Sequence, residues 1–190
     1  MRALSGILLA MAIGAGTGLG LTAFSVGGGT GAGTLHIGPW HVTPKAGTPE
    51  ADPYARAVAA RLGALPLALA DGLAVIADRD SAGRRLDGRC TYRVSGAMPP
   101  ARFWTLTATD AEFRPVVGEG MRQGFTSYEI VRRADAPDEV VVAPQARPGN
   151  WLPSGAAADL RLILRLYDTP IATTISSGTT LPAITLAGCP

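Results

Sequence analysis

From Ala3 to Val26 the chain reads ALSGILLAMAIGAGTGLGLTAFSV, with no charged residue and no proline. A helix of that length crosses the hydrocarbon core of a bilayer. Residues 1–26 are therefore predicted to form a transmembrane signal anchor, with the lipid bilayer as the partner of residues 3–26. Arg2 and the amino terminus supply positive charge on one flank, and the other flank has no basic residue before Lys45. The positive flank stays in the cytoplasm, so the remainder is expected outside it. A cleaved secretory signal is the alternative, because Ala23 and Ser25 put small residues where a signal peptidase reads them. Gly14, Gly16, Gly18 and Gly20 would permit close helix packing in the bilayer.

Next comes GGGTGAGT, Gly27 to Thr34, whose spacing misses G-x-G-x-x-G and which no strand or amphipathic helix frames. Residues 27–37 read as a Gly-rich linker. Residues 38–190 are enough for one domain with an ordinary core. The net charge of +2 is spread without a basic block or a basic and aromatic stripe, which excludes nucleic acid as a partner. The two cysteines, Cys90 and Cys189, stand alone, with no C-x-x-C and no nearby histidine. In a domain facing an oxidising space they are expected to form one disulfide.

The body of the chain alternates with period two. ADPYARAVAARLG is the exception: Asp52 caps, Pro53 suits the first helical position, and Tyr54, Val58, Leu62 and Leu65 share a face until Gly63 and Pro66 stop the helix. LAVIAD, RCTYRVS, RFWTLTA, SYEIVRR, EVVVAP, DLRLILRLYD and AITLAG then read as short strands separated by Gly, Pro and Asp turns. In DLRLILRLYD, Leu160, Leu162, Leu164 and Leu166 face one way, and Arg161, Ile163, Arg165 and Tyr167 the other. The fold class is all-β, a two-sheet sandwich or jelly roll preceded by one short amphipathic helix and the N-terminal helix.

Taken in order, IGPW, ADPYARA, DSAGRRLDGRCTYRVSG, RFWTLTATD, GNWLPSG and LRLILRLYD resemble the bacterial family called domain of unknown function 1214, from about Gly38 to Cys189. The resemblance implies a jelly-roll sandwich and, for this short form, an envelope protein with one N-terminal membrane segment. Its expected place is the bacterial inner membrane, single-pass, with the C-terminal domain in the periplasm. Longer relatives add a companion, domain of unknown function 1254, for which this chain has no room. ALPLALADG departs from the family where a more polar stretch is expected. Trp40, Asp87, Gly88, Trp104, Asn150, Trp151 and Pro153 are the motif residues, and structural roles are expected for them. Trp40 is placed either at the membrane interface or against the domain. Trp151 is expected to plug the end of the core, while Asn150 and Pro153 shape the turn into the Leu160 strand.

The resemblance brings no reaction with it. His36 and His41, the only histidines, fall in or near the linker, which leaves no Ser-His or Cys-His pair within the sandwich. No G-x-S-x-G occurs. DRDSAG begins like a calcium loop, but Ala82 and Arg89 occupy ligand positions, so a turn is the better reading. No catalytic residue, metal ligand or cofactor is assigned. The candidate ligand-binding residues are Arg161, Arg165 and Tyr167, a set suited to a carboxylate or phosphate. The plainer alternative is a solvated sheet face paired with acids such as Glu129. Two functions follow: a membrane-anchored, non-enzymatic binding or interaction module for an envelope ligand or protein, or a hydrolase using Asp78, Asp80, Asp87 or Glu129 on an envelope glycan or lipid.

Overall fold

The computed structural model describes residues 2–27, 33–63, 65–118, 120–134 and 137–190. The amino terminus, the Arg2 side chain and linker residues 28–32 lie outside them. Helix α1 (Arg2–Gly27) is long and apolar enough to cross a membrane, and none of its apolar window is buried in the protein. Strands β1 (Leu35–Ile37) and β2 (Trp40–Val42) follow, then helix α2 (Pro53–Leu62). At α2 the backbone amides of Tyr54 and Ala55 donate to Asp52 Oδ1, Pro53 starts the helix, and Gly63 closes it in the left-handed region. Val58 is buried, but Tyr54 and Leu65 are exposed, and Leu65 lies beyond the Gly63 stop. The expected apolar face is therefore shorter than its sequence pattern.

The remaining strands are β3 (Gly72–Ala77), β4 (Thr91–Ser95), β5 (Phe103–Thr109), β6 (Gly124–Thr126), β7 (Glu139–Ala143), β8 (Trp151–Pro153), β9 (Arg161–Tyr167) and β10 (Ala183–Gly188). They form a six-stranded sheet, β1-β2-β3-β9-β5-β6, and a four-stranded sheet, β10-β4-β7-β8. Every pairing is antiparallel except β7 with β8. The architecture is mostly β, and the two sheets share one core in a sandwich-like arrangement. Leu73, Val75, Trp104, Leu106, Leu162, Leu164 and Leu166 enter it from the large sheet, and Tyr92, Val94, Val140, Val142, Leu152 and Ile184 from the small one.

Three local readings change. SYEIVRR is not a strand; a side chain takes the place of a ladder, because Asn150 Oδ1 accepts from the Val131 amide and Asn150 Nδ2 donates to the Val131 carbonyl. GNWLPSG contains a strand, β8, whose alternation turns Leu152 to the core and leaves Trp151 half-buried. Trp151 is thus not the core plug; its Nε1 donates to the Ala143 carbonyl at 3.0 Å. Trp40 packs against the domain with no exposed surface, and its Nε1 donates to the Pro182 carbonyl at 2.7 Å. The third change concerns the histidines. His36 and His41 face each other across the β1–β2 hairpin, and His41 pairs with Ile76 of β3, so both belong to the sheet.

The calcium-like loop is an aspartate clasp. Asp80 Oδ1 accepts from the backbone amides of Ala82 and Arg84, and Oδ2 from the Arg84 guanidinium. Asp110 repeats the device with the amides of Glu112 and Arg114 and the Arg114 side chain. Gly83 and Phe113 hold equivalent positions in the two loops, both at positive φ. Burial pushes the Asp80 carboxyl up, but the Arg84 side chain, the two amides and the Arg84 charge outweigh it and the net pKa is lowered.

Trp40→Ala is expected to cost about 3–5 kcal/mol in urea unfolding, against about 1–2 kcal/mol for the half-buried Trp151. Asp80→Ala should cost about 2–3 kcal/mol near neutral pH. The carboxyl binds its proton less tightly folded than unfolded, so its contribution is present above the unfolded pKa and is lost as pH falls through the folded one. Below about pH 4 wild-type stability should drop more steeply than that of the variant.

Candidate functional site

The outward face of the large sheet is laid out by the strand register. Along β9, Arg161, Ile163, Arg165 and Tyr167 point outward, opposite Thr109, Thr107, Thr105 and Phe103 of β5. Six residues of strand separate Arg161 from Tyr167, which is about 20 Å. The three candidate residues therefore share a face without converging on one small ligand. Tyr167 belongs to an aromatic cluster with Phe103, and Phe103 meets Tyr128, at centroid distances of 5.6 and 5.5 Å. Arg165 reaches the Thr107 hydroxyl at 3.5 Å. The Arg161 guanidinium lies 4.9 Å from the centre of the Phe113 ring.

The ion pairs expected for this face do not form. Glu129 Oε2 accepts from the Thr126 amide and hydroxyl, and Glu129 Oε1 stands 3.3 Å from Arg122. Among the described residues neither Arg161 nor Arg165 has a carboxylate within ion-pair distance. The Thr109 hydroxyl, on the residue paired with Arg161, is buried without a hydrogen-bond partner among the described residues. His41 sits at the same end of the sheet, its ring centroid 6.0 Å from that of His36. Burial lowers the His41 pKa; Asp78 raises it, and His36 and Arg161 lower it further.

The opposite side of the molecule carries a cleft of about 860 Å³ on the outer face of the small sheet. Its floor includes Arg93 of β4 and Val141 of β7, which are register partners. One wall comes from the β7–β8 connection at Pro144–Pro148, the other from the end of β10. Cys189 belongs to that second wall and is bonded to Cys90. Among the described residues, four arginines, Arg89, Arg93, Arg133 and Arg147, line the cleft with one acidic side chain, Glu139. Arg89 is held by Asp87 through Nε and Nη2 contacts of 2.5–3.0 Å, and Arg93 by Glu139 at 3.2 Å. Arg133 and Arg147 are exposed, with no carboxylate partner among the described residues. Neither Arg161, Arg165 nor Tyr167 lines it.

The motif residues are placed as follows. Trp104 is in the core, Pro153 is buried in β8, and Asn150 is 8 % exposed beneath the Val131 segment. Asp87 holds Arg89, and the Asp87 amide donates to the Tyr92 hydroxyl. The Gly88 amide donates to the Ala157 carbonyl, and the Ser154 hydroxyl to the Gly88 carbonyl. These contacts dock LDG onto the end of GNWLPSG. A family model described as "Protein of unknown function (DUF1214)" matches residues 71–171, more than half of the chain.

The chain belongs to this family. This DUF1214 protein is similar to solved structures, among them the following two. The VPA0106 protein from Vibrio parahaemolyticus is 21% identical, with a TM-score of 0.58 over 73% of this chain and 36% of that one. A putative uncharacterized protein from Burkholderia cenocepacia is 21% identical, with a TM-score of 0.40 over 62% of this chain and 29% of that one. The chain thus spans about a third of the length of these proteins. The first likeness shows a shared fold. No curated protein matches. Among the described residues no group of three or more His, Cys, Asp or Glu side chains is placed to hold a metal ion.

The electrostatic layout around His41 can be checked by titration. Asp78→Asn should lower the His41 pKa further and Arg161→Gln should raise it, both read from imidazole proton shifts against pH. Because the folded pKa lies below the unfolded one, His41 also weakens the fold as pH falls below about 6.5.

Proposed function

We propose that this DUF1214 protein is a single-pass protein of the bacterial inner membrane, anchored in the bilayer through residues 3–26. Its β domain lies in the periplasm and acts as a non-enzymatic binding module for an envelope ligand or protein. The observation that carries the compartment is the pairing of an apolar N-terminal helix with a disulfide, Cys90–Cys189, closing 99 residues of chain. Disulfides persist in oxidising spaces and are rare in the cytosol. The strand order supports the jelly-roll reading: from β3 onward the chain passes repeatedly between the two sheets, with β4, β7, β8 and β10 in one and β3, β5, β6 and β9 in the other.

The acid chemistry favours binding over hydrolysis. A general acid near neutral pH needs a raised pKa. Hydrogen bonds from Arg89 hold Asp87 below the usual carboxylate range, and those from Thr126 do the same for Glu129. Asp80 is lowered as well and is fully engaged by its own loop. Three of the four acids considered for hydrolysis are thereby kept ionised.

Protease added to spheroplasts should digest the β domain, while the protein stays with the membrane fraction through a carbonate wash. A maleimide should label Cys90 and Cys189 only after reduction. A protected domain whose thiols label without reductant would place it in the cytoplasm and sink the proposal.

A further inference from the structure

We infer that the arginine-lined cleft on the small sheet is a binding site for a polyvalent anion carrying two or more phosphate or carboxylate groups. This deepens the binding reading above and does not depend on the compartment. The volume, about 860 Å³, lies within the range of small-molecule sites. No aromatic ring is among the lining residues, so the cleft offers no stacking platform for a base or a sugar. Recognition there has to come from charge and hydrogen bonding.

The four guanidiniums divide into two kinds. Arg89 and Arg93 line the cleft and are held by Asp87 and Glu139, pairs that leave each guanidinium with further N–H donors. Among the described residues Arg133 and Arg147 have no such carboxylate partner. Arg132, the neighbour of Arg133 in sequence, is by contrast paired with Asp138 at 3.4 Å. Planar guanidinium forks match the oxygens of phosphate and carboxylate. These two cations come from separate connections, one before β7 and one between β7 and β8, which suits a ligand with two anionic groups better than a single one. Such groups occur on free polyanions and on lipid headgroups.

The full chain in phosphatidylcholine nanodiscs should respond to pyrophosphate by shifts in the arginine side-chain NMR signals, with a dissociation constant that rises with salt. Transfer to phosphatidylglycerol nanodiscs without pyrophosphate tests the headgroup source. A response in either lipid supports the site, and which one responds assigns the source. Arg133→Gln with Arg147→Gln should weaken binding about tenfold or more, with thermal unfolding unchanged because both side chains are exposed. Arg161→Gln with Arg165→Gln should leave it unaltered. The inference is overturned by silence toward both probes, or by equal binding to wild type and the Arg133/Arg147 variant. Neither result bears on the topology, which the protease experiment reads separately.

Discussion

At Gly88 the chain passes so close to the Ser154–Ala157 turn that an added Cβ would lie 2.7–2.9 Å from the Ala157 nitrogen, the Ser154 oxygen and the Ala157 oxygen. Only glycine fits that approach. The contact is then sealed by two hydrogen bonds, from the Gly88 amide and from the buried Ser154 hydroxyl. Several elements take their positions from it. The Leu160 amide donates to the Leu86 carbonyl, which sets the entry into β9, the strand at the centre of the large sheet. On the other side, Asp87 turns the chain into Cys90 and β4, and with it the disulfide. Two signature stretches about sixty residues apart are thus one structural unit, and their motif residues serve the fold before they serve any ligand.

The two outer faces differ in how they treat positive charge. On the large sheet, Arg161 and Arg165 are spaced along β9 on either side of Ile163, which is 3 % exposed despite pointing outward. Arginine stems commonly shield apolar neighbours in this way while their heads stay solvated. On the small sheet Arg93 rises from β4 at the floor, while Arg89, Arg133 and Arg147 come from connections around the same space. Concavity separates the two. Arg161 and Arg165 stay half-buried against Phe113 and Thr107, whereas several guanidiniums around a cleft act together on whatever enters it.

Alternation marked β4, β5 and β9, and short, mostly apolar runs between turn residues marked β3, β7 and β10. Asp52, Pro53 and Gly63 likewise marked α2 by their capping chemistry. The three-residue strands β1, β2, β6 and β8 are too short to show a period, and β1 directly follows a glycine tract that reads as linker. SYEIVRR misleads for a different reason. Its apolar alternation is real, and Ile130 is buried, but the backbone of Val131 is satisfied by an asparagine nineteen residues away. A side chain that imitates a strand leaves no signal in the segment it pairs with. The cleft was equally invisible: Arg89, Arg93, Arg133 and Arg147 fall in three separate stretches, and only the β4–β7 pairing and the path of the β7–β8 connection bring them together.

That dependence on long-range pairing ties the cleft to the disulfide. β10 lies at the edge of the small sheet, and its ladder with β4 is irregular between Leu186 and Gly188. Past that irregularity a single register pair, Gly188 with Thr91, precedes Cys189. An edge segment with so few ladder bonds frays readily. Covalent attachment to Cys90, buried at the start of β4, removes that freedom, and by limiting the unfolded chain a loop of this length is worth about 4–5 kcal/mol in the entropic account. The wall formed by Ala187–Cys189 is therefore best ordered where the two sulfurs stay oxidised. The bond that closes 99 residues of chain thus also orders one wall of the arginine cleft.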